Sequence, residues 1–162
     1  SDKQILGHRS PSWIGSITNT FTYMDFDFSF FIYTQQGAQI QDAFMSTFMT
    51  YEGNYKQVNV NYWTEDNPSN SYPKPGNKGK YYDAMRYQKV SFVRVGSITF
   101  GYNLPKSFLK KLNVKNLRLK CTTNNRFTFS SYKGFDPEWA SQNTWGTATG
   151  YTTYLFGAKL EF

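Results

Sequence analysis

The chain has 162 residues, a formal net charge of +7 and an aromatic content of 20%, with a mean hydropathy of −0.62. This length suits one ordinary domain, and such a content of aromatic residues excludes an intrinsically disordered chain. The most apolar window, Phe26–Tyr33, is far shorter than the roughly 20 apolar residues of a membrane-spanning helix, which excludes a helical membrane protein.

The chain begins with a predicted β-hairpin. The first residues, Ser1-Asp-Lys-Gln, are followed by no positively charged leader, apolar segment or cleavage site, so we expect either a cytoplasmic protein or a piece of a longer one. The patterns in the rest of the chain favour the piece. Apolar and polar residues then alternate over residues 13–24 and again over residues 26–36. Alternation of this period indicates strands. A turn near Asp25 joins the two runs and completes the hairpin.

A long connection, residues 37–91, follows the hairpin. It is rich in Asn, Tyr, Gly and Pro, which favour turns and loops. Within it, residues 38–51 have loosely helical spacing of apolar side chains and predict a short helix.

Three more alternating runs complete the chain. They cover residues 92–103, 116–130 and 151–162. Residues 104–115 connect the first two, and Pro105 there predicts the start of a helical turn. Each of the five strands has about 11 residues, the length that a tilted strand needs to cross a bilayer.

The connections alternate between short and long. The turns near residues 25 and 104–115 are short, whereas residues 37–91 and 131–150 form long loops. Short turns on one side and long loops on the other are typical of an outer-membrane barrel wall. Five strands cannot close a barrel, so this interpretation makes the chain part of a larger one. A soluble, aromatic-rich β-sandwich that binds carbohydrate remains the alternative, since its strands would show the same alternation.

Six of the 18 basic residues lie in one stretch without an acidic residue, and the others are dispersed or mixed with Asp and Glu. A solvated basic turn at one end of a sheet accounts for this stretch, and a phosphate-binding patch is the alternative. A nucleic-acid-binding β domain is therefore a weaker hypothesis, and we expect no nucleic-acid partner. The basic residues of the stretch are Lys106, Lys110, Lys111, Lys115, Arg118 and Lys120.

Several short motifs resemble, in the right order, the C-terminal barrel region of SusC/RagA-family TonB-dependent transporters of Bacteroidetes. The resemblance spans nearly the whole chain and includes a final strand that ends on an aromatic residue. His8 and Arg126 depart from the family pattern. The motifs are Gly7–Pro11 followed by Trp13, Tyr62–Pro68, Val93–Tyr102, Gly101–Pro105 and Tyr132–Glu138.

The resemblance implies an all-β fold: five long antiparallel strands in the wall of a large transmembrane barrel of about 22 strands. Residues 37–91 and 131–150 become external loops, and the turns near residues 25 and 104–115 become periplasmic. Such proteins import nutrients such as oligosaccharides or peptides across the bacterial outer membrane. The implied partners are the rest of the barrel with its N-terminal plug, TonB, a SusD-like surface lipoprotein and outer-membrane lipid.

No residue pattern predicts an enzyme or a cofactor. His8 has no nucleophile in a recognisable context. Asp136 and Glu138 are paired carboxylates, a type of pair that can carry out acid–base chemistry, but the resemblance accounts for them as part of a loop motif.

Three groups of residues are candidates for functional contacts. The aromatic residues of the long loops suit sugar rings or peptide side chains, with packing among the loops or on the lipoprotein as the alternative: Trp63, Tyr72, Trp139 and Trp145. Basic residues are expected to line the lumen: Arg118, Lys120 and Arg126. The last strand resembles the terminal assembly signal of outer-membrane proteins and also suits a lipid-facing surface: Tyr154, Phe156, Leu160 and Phe162.

Overall fold

The computed structural model describes residues 5–42, 61–70, 72–74, 86–112, 114–140 and 150–162. These residues form two compact units. The first, the sheet unit, comprises residues 13–35, 92–130 and 150–162; the second, the loop unit, comprises residues 1–12, 36–91 and 131–149. None of the described residues form a helix with the length and hydropathy that a membrane crossing requires. The elements are β1 (Trp13–Tyr23), β2 (Phe26–Gln36), β3 (Gln39–Gln41), β4 (Tyr87–Lys89), β5 (Phe92–Asn103), α1 (Lys106–Leu112), β6 (Asn116–Ser130) and β7 (Thr153–Glu161).

The sheet unit is a five-stranded antiparallel sheet with the order β1-β2-β5-β6-β7. The predicted all-β class with five long antiparallel strands is therefore confirmed. The first strand ends one residue earlier than predicted, because Met24 adopts a left-handed conformation with φ of 51° in the turn. The last strand, predicted over residues 151–162, forms ladder pairs only from Thr153 to Glu161.

Cross-strand pairing sorts the side chains onto two faces. On the apolar face, Phe28 pairs with Phe100, which in turn pairs with Cys121. On the polar face, Asp27 pairs with Gly101, which pairs with Lys120. Residues paired across antiparallel strands project from the same face, so each row keeps its character across the sheet.

A bulge interrupts the sheet at one level of β5 and β6. The register skips Gly96 on β5, and it skips Asn125 and Arg126 on β6. Asn125 has a left-handed φ of 53°, a conformation that Asn tolerates better than most residues. The single extra residue on β5 reverses the alternation of its side chains between the two faces. Val95 therefore shares a face with Ile98, whereas residues three apart lie on opposite faces of an uninterrupted strand.

The short connection between β5 and β6 contains α1, which confirms the helical turn predicted after Pro105. Backbone hydrogen bonds hold the connection against the sheet end: Leu104 donates to Leu117 and Lys115 donates to Glu161. Leu109 is buried. The basic turn is thus a folded element.

The loop unit is built around the small antiparallel sheet of β3 and β4. Residue His8 adds a parallel bridge to Ala38, and Gln39 donates its backbone N–H to the carbonyl of His8. The helix predicted for residues 38–51 is wrong at its start, because Gln39–Gln41 form β3; residues 43–51 lie outside the described part. The core of this unit consists of Ala38, Ile40, Val90 and Ala140, with Tyr132 packed against it.

Candidate functional site

An ion pair crosses the polar face of the sheet. Arg118 Nη2 lies 2.8 Å from Asp27 Oδ1 and donates a hydrogen bond of 2.9 Å to Oδ2. The two residues belong to β6 and β2, so the Asp27 side chain has to pass over β5 between them. It passes at Gly101: a Cβ atom there would collide with the Asp27 carboxylate. Glycine at this position therefore makes room for the ion pair.

Lys120 lies on the same cross-strand row as Asp27 and Gly101, between two glycines. It pairs with Gly101 on one side and with Gly157 of β7 on the other. Within the described residues, no hydrogen bond or ion pair joins Lys120 to another group, and a Cβ atom added at Gly157 would meet nothing within 4 Å. The neighbouring cation of β7, Lys159, is 2.8 Å from Glu161.

Arg126 does not join this row. It is one of the two unpaired residues of the β6 bulge, and its guanidinium carbon lies 5.4 Å from the centre of the Phe127 ring. Arg118 and Lys120 share the polar face, as the alternation predicts, whereas the third basic candidate lies at the interruption.

The other half of the polar face contains a buried arginine that sequence reasoning missed. Arg94 is 2% exposed; its Nε donates to Thr128 Oγ1 at 2.9 Å and its guanidinium lies 5.1 Å from the Phe92 ring centre. Tyr33 pairs with Arg94 and stacks on Phe31. Only the reversal of alternation at the bulge places Arg94 on this face, and no sequence pattern signals that reversal.

The apolar face is rich in exposed aromatic residues. Phe26 stacks on Tyr102 with ring centres 4.4 Å apart, and Phe21 stacks on Phe28 at 6.4 Å. On β7, Tyr154 and Phe156 pair with Thr123 and Cys121 of this face, and Leu160 pairs with Leu117. Side chains at the end of the chain are largely exposed: Phe156 and Phe162 each to 80%.

The loop unit brings two of the aromatic candidates together. Tyr62 and Tyr72 form a parallel bridge, and the backbone N–H of Trp63 donates to the carbonyl of Tyr72 at 2.9 Å. Asn67 organises this segment, because its side-chain amide donates to Asn61 Oδ1 and to the carbonyl of Tyr62. Hydrogen bonds with nearby residues therefore hold the loop of the Tyr62–Pro68 motif, and the Trp63 side chain remains 36% exposed.

The Tyr132–Glu138 motif anchors another part of the loop unit. The Tyr132 hydroxyl donates to Oδ2 of the buried Asp42 at 2.7 Å. Burial and this carboxylate raise the pKa of Tyr132 well above its usual value. Asp136 is also buried and accepts the backbone N–H of Glu138, so its carboxylate stabilises a turn.

The remaining aromatic candidates have different positions. Trp139 is 41% exposed at the end of this turn, and Trp145 lies outside the described residues. Among the described residues, no group of three His, Cys, Asp or Glu side chains is placed to hold a metal ion.

A cleft of about 520 Å³ lies in the loop unit beside the β3–β4 sheet. Its lining mixes apolar and polar side chains: Ile5, Leu6, Arg9, Gln39, Ile40, Gln41 and Tyr87, with Gly7. The volume is in the range of small-molecule sites.

The chain was compared with known proteins. No family model matches the chain. It is 27% identical over 174 residues to TonB-dependent receptor P3 of Formosa agariphila, which covers 100% of this chain and 17% of the receptor. It is 26% identical over 163 residues to TonB-dependent receptor SusC of Bacteroides thetaiotaomicron, covering 99% of this chain and 16% of SusC. The chain thus spans about a sixth of the length of the curated relatives that it matches.

Solved structures share the fold. A chain of the RagAB peptide importer in its open-open state superposes with a TM-score of 0.73 at 24% identity, covering 98% of this chain and 18% of that one. Another structure, of the RagAB peptide transporter, gives a TM-score of 0.76 at 23% identity with the same coverage. The resemblance drawn from the motifs is confirmed: the chain is similar to one segment of proteins named TonB-dependent receptors, SusC among them, and shares its fold with chains of the RagAB structures.

Proposed function

We propose that this chain forms part of the wall and surface loops of a TonB-dependent importer in the bacterial outer membrane. The observation that carries the proposal is the division of the sheet into an exposed aromatic face and a charged face. Lipid on the outside and water or polar protein on the inside require this division in a transmembrane barrel. The relatives are named receptors and importers, which agrees with a role other than catalysis.

The proposal gives each surface a side. The apolar face contacts lipid, including the side chains of Tyr154, Phe156 and Leu160 on β7 and of Phe162 just after it. The polar face, with Arg118 and Lys120, lines the lumen. The short connections near residues 25 and 104–115 lie on the periplasmic side, and the loop unit lies outside the cell.

The partners follow from the same placement. The rest of the barrel and an N-terminal plug would complete the structure, TonB would drive transport, and a SusD-like lipoprotein would cover the loop unit. Peptides are one proposed cargo, since RagAB is described as a peptide importer, and oligosaccharides are the other, since the motif resemblance implies either class of nutrient. Trp63, Tyr72 and Trp139 supply aromatic faces for contact with cargo or lipoprotein.

A soluble carbohydrate-binding sandwich is the competing function. It requires the apolar face of the sheet to be buried against a second layer. Large side chains of that face are instead exposed on every strand, among them Phe21, Phe28, Phe100, Phe129 and Phe156. This observation favours lipid as the medium that covers them.

Fractionation of the native protein tests the proposal. We expect it in the outer-membrane fraction, with a denatured mass several times that of this chain and with gel migration that changes on heating, as for folded barrels. A SusD-like lipoprotein should co-purify in mild detergent. A soluble species with the 18.8 kDa mass of this chain would contradict the proposal and support the sandwich.

The loop aromatics are tested by uptake. Trp63→Ala and Trp139→Ala should each lower uptake of labelled oligosaccharide or peptide without changing the amount of protein in the outer membrane. Phe108→Ala is the matched control, because Phe108 is also an exposed aromatic residue but lies in α1, in the connection proposed to be periplasmic. Unchanged uptake in both tryptophan variants would indicate that these residues only pack within the loops and would contradict their proposed contact with cargo.

A further inference from the structure

β7 is the edge strand of the described sheet, and its row on the polar face contains an opening. Lys120 pairs with Gly157 of β7, and the space above Gly157 is empty within 4 Å. Lys120 is exposed and has no ion-pair or hydrogen-bond partner among the described residues. An exposed cation without a partner therefore lies one strand in from the open edge, next to a glycine.

On the same face, Asp27 and Gly101 of this row show how the space above a glycine is used, with Arg118 of the adjacent row as the partner. Asp27 extends from β2 over Gly101 of β5 and pairs with Arg118 of β6. The ion pair thus spans about two strand spacings, roughly 10 Å between the first and third strands, with the Asp27 carboxylate over Gly101 and the longer Arg118 side chain reaching it from β6. A glycine on the middle strand makes this crossing sterically possible.

Gly157 stands in the same relation to the open edge as Gly101 does to β2. We infer that the strand that pairs with the free edge of β7 carries an aspartate or glutamate opposite Gly157, and that its carboxylate crosses Gly157 to pair with Lys120. The partner is a strand from the remainder of the longer polypeptide, since the relatives are about six times the length of this chain. The inference rests on the proposed function, because a barrel wall leaves no strand edge unpaired.

Two physical reasons favour a carboxylate over other occupants. The four charged side chains Asp27, Arg118, Lys159 and Glu161 form two ion pairs, which leaves Lys120 as the excess cation of this part of the face. A carboxylate that pairs with Lys120 fixes the register of the neighbouring strand on β7. A slip of one residue would move this carboxylate to the other face of the sheet and break the ion pair. The pair would therefore specify how β7 docks on its neighbour.

Glycine substitutions in the full-length protein test the inference. Gly157→Val should lower the midpoint temperature of the heat-dependent change in gel migration about as much as Gly101→Val, where the collision with Asp27 is visible. Ala158→Val is the matched control, because Ala158 is the next residue of β7 and projects from the apolar face. In an open space, valine would be tolerated or stabilising in a strand. A midpoint for Gly157→Val equal to that of wild type would overturn the inference.

Cross-linking identifies the carboxylate. A Gly157→Cys variant, in a Cys121→Ala background, should form a disulfide with a cysteine placed at the opposite position of the neighbouring strand, and the native residue there should be acidic. Changing that residue to its amide and changing Lys120→Met should lower the midpoint by similar, non-additive amounts. A neutral residue at the cross-linked position contradicts the inference, and so does the absence of any cross-link. If the wild-type protein shows no heat-dependent migration, the proposed function itself fails.

Discussion

At the scale of residues, glycine and aspartate cooperate on the polar face. Gly101 has no side chain where the Asp27 carboxylate passes to reach Arg118. An ion pair of this kind, with Asp27 largely buried and Arg118 about two-fifths exposed, contributes on the order of 1–2 kcal/mol. The sequence places Arg118 on this face by alternation, but only the register shows that Asp27, two strands away, is its partner.

Tyr132 and Asp42 are the corresponding pair in the loop unit. Tyr132→Phe should destabilise this unit by about 1–3 kcal/mol, because the buried Asp42 carboxylate loses a hydrogen bond. Faster hydrogen exchange of the backbone amide of Asp42, which bonds to the carbonyl of Arg86, would report the loss. Tyr87→Phe is the matched control, because it removes the hydroxyl of an exposed tyrosine of β4. Equal exchange in both variants would contradict the role of the hydrogen bond.

The same pair gives a pH dependence. The fold raises the pKa of Tyr132, so it favours the neutral phenol over the phenolate. The stabilisation is therefore complete below the unfolded pKa of about 10 and is lost as pH rises from there through the folded pKa. Hydrogen exchange, corrected for its intrinsic pH dependence, should show weakening protection of Asp42 above about pH 10 in wild type. Tyr132→Phe should lack this component; an identical pH profile in the two proteins would contradict it.

At the scale of elements, the interruption in β5 and β6 divides the sheet into two regions. Gly96 packs where a Cβ atom would collide with the Phe31 ring, so the stacked pair of Phe31 and Tyr33 covers the bulge. Arg94, which lies beyond it, is buried on the polar face. A valine or alanine at position 96 would push this pair apart.

Asn125 fixes the bulge on β6 through its left-handed backbone. Asn125→Val should cost about 1–2 kcal/mol, because a β-branched residue is strained at positive φ. Asn125→Gly keeps the backbone conformation and should be close to neutral, although the weak contact of the side-chain amide with Tyr151 is lost. Thermal melting of the two variants distinguishes these cases. A valine variant as stable as the glycine variant would show that the strand rearranges to a regular ladder.

Alternation was enough to predict the five long strands, because each has one face of a single character over most of its length. It could not predict β3 and β4, which have three residues each and no repeat to detect. It also missed Arg94, whose face depends on a one-residue bulge. The loop aromatics were predicted by type, whereas the pairing of Trp63 with Tyr72 depends on a backbone bridge between distant residues.

At the scale of the whole molecule, a charged substitution should have different effects on the two faces of the sheet. Under the proposed assignment of the faces, Phe28→Arg places a charge against lipid, at a cost of up to about 2–4 kcal/mol, the value at the bilayer centre. Ser29→Arg, on the adjacent residue, would place the same charge on the polar face. We expect the first variant to reduce the folded fraction in the outer membrane and the second to be tolerated, as measured by heat-dependent gel migration. Similar loss in both would contradict the assignment of the faces.

The side of the membrane on which the long loops and the short connections lie is tested most directly by labelling single cysteines from outside the cell. Single cysteines at Glu65 in the loop unit and at Lys110 in α1, both exposed, would be placed in a Cys121→Ala background of the full-length protein. Intact cells would then be treated with a maleimide too large and polar to enter the periplasm. We expect labelling at position 65 in intact cells and at position 110 only after the outer membrane is broken. Labelling of position 110 in intact cells would contradict a wall that crosses the outer membrane with its long loops outside.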